Sequence, residues 1–585
     1  MSIQLFDFHG GICPPEHKGD SNAEPIRTAP IPQQLIIPLT QRHGSVARAI
    51  VRPGQAVLTG ETIAEPIDEL GVAVHASSSG VITAIESRVT LTGEIADCIV
   101  IKTDGIDQWQ AMTPHPDWRK YTPTQLIDLI RRAGVVGMGG AGFPTAYKLC
   151  GSHIDTLIIN GAECEPYITA DDVTMREKAE QVVLGAQILQ HITGANRVFI
   201  AIEDNKAEAI EQISDALGAH GEQYQLATVP TRYPSGGEKQ LIQLLTGKQL
   251  PRGGLPADIG VLCHNIGTSV AIADTIATGI PLINRITTFT GGAIAQRGNL
   301  KVKIGTPLSH LLDWTGFDQT QCHKLLAGGS IMGKSIVDSD APVTKTTHCI
   351  LAAIDTELPD PAPASPCIRC GLCAEACPAT LLPQQLYWYS KSKQFEPLEK
   401  YGLTDCIECG VCTYVCPSSI PLVDYFVTAK TEIKSKQLEH QRAEHARQRF
   451  ESRQARLTRD ASEKEAARAA RKAQVTANPE QSRFADQVDP VQAAIERAKT
   501  KKKRMLMTQP AASEPSSNRI ELASQLEGMI ERFNDAKLNN ADQKILTALE
   551  ASIALIQSQL SDDAINQSKP SDVIESKRND PTGDA

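Results

Sequence analysis

Aromatic residues make up only 4% of this 585-residue chain. No apolar run approaches the ~20 residues that a membrane-spanning helix needs. The opening stretch, MSIQLFDFHGGICPPEHKG, has neither a basic leader nor the apolar core of a secretion signal, so export is not expected. Membrane contact is then peripheral or made through a partner. Neither sign of charge dominates: 58 Lys/Arg stand against 68 Asp/Glu. The balance is uneven along the chain, with 20 Lys/Arg against 11 Asp/Glu in residues 430–504. Basic stretches can bind nucleic acid or anionic lipid, but the signs here are interleaved, which favours a solvated helical tail and no nucleic-acid partner. What the chain has in quantity is glycine (42) and proline (35), the residues of tight turns, and cysteine gathered in one place.

Eight of the fifteen cysteines fall in CIRCGLCAEACP (367–378) and CIECGVCTYVCP (406–417). Each run reads C-x2-C-x2-C-x3-C-P, the bacterial two-cluster ferredoxin pattern. Three closely spaced thiolates can wrap three irons of one cubane, and in that pattern the fourth ligand comes from the other run. One cluster then takes Cys367, Cys370, Cys373 and Cys416, and the other Cys406, Cys409, Cys412 and Cys377. Tetrahedral zinc would use two pairs and leave a surplus cysteine in each run. Disulfides would need an oxidising compartment. The remaining seven cysteines are scattered and read as small buried side chains.

Upstream, GVVGMGGAGFPTAYK (134–148) is dense in glycine. Gly137, Gly139 and Gly142 fit G-x-G-x-x-G, but the dinucleotide fingerprint requires a preceding strand. Here TPTQLIDLIRRAG precedes, with Thr122 as cap, Pro123 at the first turn and apolar residues at helical spacing. A structural turn and a cofactor loop both answer to this pattern, and Lys148 adds a charge suited to phosphate. Further on, apolar runs at 154–160, 197–204 and 258–266 predict buried strands, and 175–192 and 206–217 predict helices. That alternation predicts an α/β domain with a mainly parallel sheet.

In order, GMGGAGFPTAYK, NGAECEP, YPSGGEK and HNIGT resemble the flavin- and NADH-binding subunit of respiratory complex I. The resemblance implies an FMN phosphate near Gly137, Gly139, Gly140, Gly142 and Lys148. It implies Asn160, Glu163, Glu165, Tyr233, Glu238 and Asn265 around flavin and nicotinamide, with Phe143 stacking on NADH. This chain departs from the pattern at Ala162, where the family has an acid, at Gly237, where the first of two glutamates is usual, and at His264, which replaces one Asn. No residue is singled out as directly catalytic.

The flanking segments have their own character. Residues 35–86 alternate apolar and polar positions between turns and look like the lipoyl/biotinyl barrel-sandwich fold, yet IDELG, where a carrier lysine would sit, has none. Residues 281–350 resemble a soluble-ligand-binding β-grasp domain. The expected architecture is a multidomain α/β chain: a barrel-sandwich module (1–115), an FMN/NADH-binding α/β domain (116–280), a β-grasp domain (281–355), a double 4Fe-4S ferredoxin-like domain (360–430) and a charged helical or disordered tail (431–585). The tail includes DPVQAAIERAKTKKKR (489–504) and a predicted helical hairpin beyond residue 520. This order resembles the C-subunit family of the ion-translocating Rnf/Rsx electron transport complexes. It implies a peripheral protein on the cytoplasmic side of the bacterial inner membrane, with integral membrane subunits and a ferredoxin-type subunit as partners. It further implies an oxidoreductase subunit that couples electron transfer between NADH and ferredoxin, or a related acceptor, to ion translocation. Two alternatives are a non-enzymatic electron wire with a vestigial flavin pocket and the flavin subunit of a soluble NAD-linked hydrogenase or formate dehydrogenase.

Overall fold

The computed structural model describes residues 4–40, 46–140, 142–151, 153–218, 223–477 and 495–496. Most of segment 489–504 and the whole predicted hairpin beyond residue 520 lie outside the described residues. The chain divides into two compact units, 1–446 and 447–585.

In the first unit, residues 34–103 fold as two facing antiparallel sheets. One carries Gln34–Pro38, Ile95–Thr103, Gly80–Val89 and Ala56–Val57 in spatial order, and the other Arg48–Ala49, Thr62–Glu65 and Val74–His75. Side chains alternate across a strand, so every second residue faces inward. Leu35, Ile37, Ile63, Ile82, Ile99 and Ile101 accordingly fill the space between the sheets with no exposure. The IDELG turn is closed by Asp68, whose carboxylate accepts the amides of Leu70 and Gly71.

The next domain has four parallel strands: β1 (Thr156–Gly161), β2 (Arg197–Glu203), β3 (Tyr224–Val229) and β4 (Val261–Asn265). Their spatial order is β3-β2-β1-β4. The strand order therefore reverses between β1 and β4, which places a crevice at their carboxyl ends. Seven helices surround the sheet: α1 (Pro123–Arg132), α2 (Thr145–Lys148), α3 (Ala170–Glu177), α4 (Ala179–Thr193), α5 (Ala207–Leu217), α6 (Glu238–Thr246) and α7 (Ile266–Thr278). Thr122 caps α1, as the sequence predicts, and Gln125 completes a capping box with it. The single helix predicted over 175–192 is instead two, α3 and α4, parted at Lys178, which leaves helical geometry. Strand β3 has no clear apolar signature, because Tyr224, Gln225 and Leu226 are only half-buried at the sheet edge.

Residues 284–353 supply five strands of a six-stranded mixed sheet backed by the helix Leu308–Thr315, whose Leu308, Leu311 and Leu312 pack on Phe289, Leu300 and Val302. Its edge strand, Arg27–Thr28, comes from the far end of the chain. Residues 366–420 follow as two equivalent halves. Arg369, Gly371 and Thr380 have positive φ, and so do Glu408, Gly410 and Ser419, each 39 positions later. The short helices Leu372–Glu375 and Val411–Tyr414 repeat in the same register. The helix Leu422–Ala477 begins by packing Leu422, Phe426 and Ala429 into that module's core. In the second unit its described residues are exposed and mostly polar.

Helices α4 and α7 meet through Gly185, where an added Cβ would sit 2.1 Å from the Ser269 carbonyl oxygen. Gly185→Val is expected to force the helices apart and destabilise the domain by about 1–3 kcal/mol. Urea unfolding followed by circular dichroism measures the loss.

Candidate functional site

The crevice between β1 and β4 gathers the predicted residues. Asn160, next to last in β1, and Asn265, last in β4, lie directly opposite each other in register. Asn160 Nδ2 donates to the Gly236 carbonyl (2.9 Å), and its Oδ1 accepts the Ala162 amide. Asn265 caps α7 by accepting the Gly267 amide (2.8 Å), and its Nδ2 donates to Asp171 (2.5 Å). Extended backbone followed by a short polar side chain is what a helix start requires, so sequence and cap agree.

The glycine loop folds back on itself, with Gly137 N donating to Phe143 O and Gly142 N to Gly137 O. Gly140 and Gly142 sit at φ +104° and +65°, a region that other residues enter only at a cost. Gly139 rests on the α7 cap, its absent Cβ 3.4 Å from Asn265 Cβ, and a Cβ on Gly140 would meet nothing within 4 Å. The loop thus leaves open space over Gly140 beside the amino end of a 13-residue helix, where peptide dipoles favour an anion. Phe143 keeps a partly exposed ring, edge-on to Tyr147. This arrangement fits an FMN phosphate and ring system.

Other predicted side chains are committed to the protein. Lys148 Nζ donates to Glu238 (2.6 Å) and to the Cys263 carbonyl (2.7 Å). Glu163 is buried and accepts the amides of Asp171 and Asp172, which caps α3. Burial pushes its pKa up to about 7, opposed by the nearby Lys18 and Lys206 ammoniums and reinforced by Asp171. Glu165 accepts the amides of Ile331 and Met332 from the adjoining sheet's loop, and burial raises it too. The structure therefore gives Glu163 and Glu165 the work of holding backbone, beside the crevice expected for them. His264, at the position of a family Asn, is buried with Nε2 unpartnered, and burial holds it neutral.

Tyr233 joins the crevice to the cysteine module. Its hydroxyl donates to the Cys409 carbonyl (2.7 Å), its main chain pairs with Ile12, and its ring lies in a buried cluster with Val411, Cys164, Ile331 and Ala376. Nearby, Gln240 donates to the Pro378 carbonyl, and Gly11 donates to that of Ala376.

The two runs lie close together: Cys406, Cys409 and Cys412 feel Cys377, Cys412 also feels Cys373, and Cys373 feels Cys370 and Cys416. Cys377, Cys406, Cys409 and Cys412 line a small cavity of about 20 Å³ with Pro378, Leu386 and Phe426. No three His, Cys, Asp or Glu side chains converge on a single-ion site among the described residues. Sulfurs spread around the wall of a cavity suit a cluster with its own bridging atoms. In the first run Cys370 is exposed, as is Ile368 (68%), while Cys367, Cys373 and, from the second run, Cys416 are half-buried.

Residue-type reasoning misses Lys18 and Arg285. Buried Lys18 donates to the carbonyls of Glu163 (2.6 Å), Glu165 (3.1 Å) and Ile168 (2.7 Å), shaping the whole NGAECEP turn. Its surroundings, GGICPPEHKG, hold no chemical motif that would announce it. Arg285 donates to the Met138 carbonyl (2.6 Å) inside the glycine loop, and nothing in its sequence surroundings announces that.

Because Glu163 binds its proton more tightly in the folded chain than at its ordinary 4.5, its contribution to stability is full below that pH and is lost as pH rises towards 7. Glu163→Gln is expected to show a shallower fall in stability between pH 4.5 and 7, measured as urea midpoints across that interval.

Comparison with known proteins gives the site its setting. Residues 6–106 match the RnfC barrel sandwich hybrid domain, 130–274 the Nuo51 FMN-binding domain and 366–420 the 4Fe-4S dicluster domain. The chain is 48% identical over 509 residues to the C-subunit of the ion-translocating oxidoreductase complex of Pseudomonas aeruginosa, covering 85% of this chain and 66% of that one. The Klebsiella pneumoniae protein of the same name is 46% identical over 505 residues, covering 86% and 66%. That of Yersinia pestis is 48% identical over 461 residues, covering 78% and 74%. This chain thus spans slightly less than two thirds of the first two relatives. A crystal structure of an NAD+-reducing nickel–iron hydrogenase aligns at TM-score 0.38 and 20% identity over 49% of this chain and 57% of that one, a likeness too slight to carry argument. No described helix is long and apolar enough to cross a membrane. With its barrel-sandwich, FMN-binding and 4Fe-4S dicluster domains in that order, the chain belongs to the C-subunit family of the ion-translocating oxidoreductase complex.

Proposed function

We propose that this chain is the electron-input subunit of such a complex. It passes electrons from NADH, by way of FMN and two 4Fe-4S clusters, to integral membrane subunits and a ferredoxin-type subunit. It does so as a peripheral protein on the cytoplasmic side of the bacterial inner membrane. The transfer runs between NADH and ferredoxin or a related acceptor and drives ion translocation. The observation that carries this reading is the bond from Tyr233, at the crevice, to the backbone of Cys409. It fastens the FMN-binding domain directly to a thiol-lined cavity. When bound, FMN exchanges a hydride's electron pair for single electrons, which iron–sulfur clusters carry one at a time.

The chain's own residues divide the work. Gly137 and Gly142 spend their amides closing the loop, and Gly139 and Gly140, beside Asn265, border the place of the phosphate. Asn160 and the Lys148–Glu238 pair fix the walls, and Phe143 offers its open ring to the nicotinamide. Glu163 and Glu165 hold the turn that borders the crevice. Cys377, Cys406, Cys409 and Cys412 form the cluster set next to the crevice, and Cys367, Cys370, Cys373 and Cys416 the other set. We read 281–355 as a scaffolding β-grasp domain and 431–585 as a charged tail, with 1–115, 116–280 and 360–430 as the other modules.

A second reading, a wire with a vestigial flavin pocket, gains support from Lys148, whose cation is already matched by Glu238. Rapid mixing of NADH with the anaerobically reconstituted chain separates the two. Bleaching of flavin absorbance supports the input subunit; an unchanged spectrum, or a chain that never retains flavin, supports the wire. Gly139→Val is expected to expel FMN while the iron content stays at about eight per chain, two cubanes' worth. Cys416→Ser is expected to remove the cluster signal of the Cys367 run, read by electron paramagnetic resonance. Loss of only the other signal sinks the crosswise ligand sets.

A further inference from the structure

Arg285 lies outside the residues that match the FMN-binding domain, on the strand Asn284–Thr290 of the adjoining sheet. It is 4% exposed. Its Nη2 donates to the Met138 carbonyl (2.6 Å). Its Nη1 stands 3.5 Å from where a Cβ on Gly267 would lie, in the first turn of α7. Its Nε is buried with no hydrogen-bond partner. Among the described residues it makes no ion pair; Asp171 and Glu163 are the carboxylates whose fields it feels, and Asp171 is already bonded to Asn265. Burial lowers its pKa to about 10, which leaves it charged at neutral pH.

A buried guanidinium without a paired carboxylate is costly to keep. This one sits behind the glycine loop and against the amino end of α7, where backbone amides already favour an anion. The peptide unit is planar and trans, so its carbonyl and amide point in opposite directions. With the Met138 carbonyl held on Arg285, the Gly139 amide must face away from the buried cation. The Met138 amide is meanwhile taken by Thr268 Oγ1 (2.9 Å), which fixes the same segment from its other end.

We propose that Arg285 is a positioning residue for the cofactor phosphate: it turns the Gly139 amide outward and sets a fixed positive charge behind it. The inference rests on the flavin reading of the crevice. It adds that the adjoining sheet completes the anion site from outside the FMN-binding domain.

The test uses the full chain, reconstituted anaerobically, titrated separately with FMN and with riboflavin, which lacks the phosphate, and read by flavin fluorescence. The wild-type chain is expected to hold FMN more tightly than riboflavin. Arg285→Met is expected to weaken FMN about tenfold or more while moving riboflavin less than about twofold. Equal weakening of both flavins overturns the proposal, since Arg285 then only props the loop, and so does unchanged FMN binding. A wild-type chain that holds both flavins alike overturns the phosphate role and leaves the flavin site standing. One that takes up neither overturns the flavin reading itself. Should Arg285→Met fail to fold, judged by circular dichroism and cluster absorbance, Arg285→Lys keeps the charge without the fork. An FMN-selective loss in that variant supports the proposal, and a loss shared by both flavins overturns it.

Discussion

The bond between the Tyr233 hydroxyl and the Cys409 carbonyl is the constraint on which the first unit's arrangement depends. Four segments remote in sequence meet around that ring: Ile12 from the opening strap, Cys164 from the β1 turn, Ile331 from the adjoining sheet's loop and Val411 from the cysteine module. The phenol offers apolar area to all of them and one donor that burial obliges it to use. Gly410 shows how close the approach is, since a Cβ there would lie 2.7 Å from Ile331. A protein that merely tethered two redox modules could do so with a linker. A buried hydrogen bond amid apolar packing fixes both distance and orientation, and one-electron exchange is steeply sensitive to distance.

Much of this was legible in the sequence, for identifiable reasons. The cysteine runs declare themselves because ligand geometry dictates spacing within one short loop, and the equal backbone signs at Arg369 and Glu408 show the repeat carried into conformation. The glycine loop was readable because its turns demand glycine, and Asn160 and Asn265 through the family resemblance of the segments that carry them. What could not be read was the partner of each polar group. Glu163 and Glu165 look like ligand-facing acids, yet their carboxylates accept amides from α3 and from residues 331–332, over 160 positions away in the second case. Lys18, Arg285 and Lys345 are single cations whose role exists only once distant segments dock. Lys345 is buried and ties the carbonyls of Ala73 and Gly134, so it stitches the barrel-sandwich to the start of the glycine loop.

That last group follows one physical rule. A buried ammonium or guanidinium must replace its water shell, and backbone carbonyls are the acceptors available wherever chains cross. Lys18 takes three carbonyls from one turn, Lys345 takes two from separate modules, and Arg285 takes one and leaves a donor unused. The first two satisfy the backbone they hold and act as clamps. Their removal would leave carbonyls orphaned in an apolar setting. Arg285 differs because its coordination is unfinished, and it is unfinished where loop amides and a helix terminus already gather positive potential. Stability alone would favour an apolar side chain there, since buried charges are often replaced by packed hydrophobes at no loss. A cation kept against that preference, between two elements that both attract anions, is better explained by what the crevice holds than by what holds the crevice together.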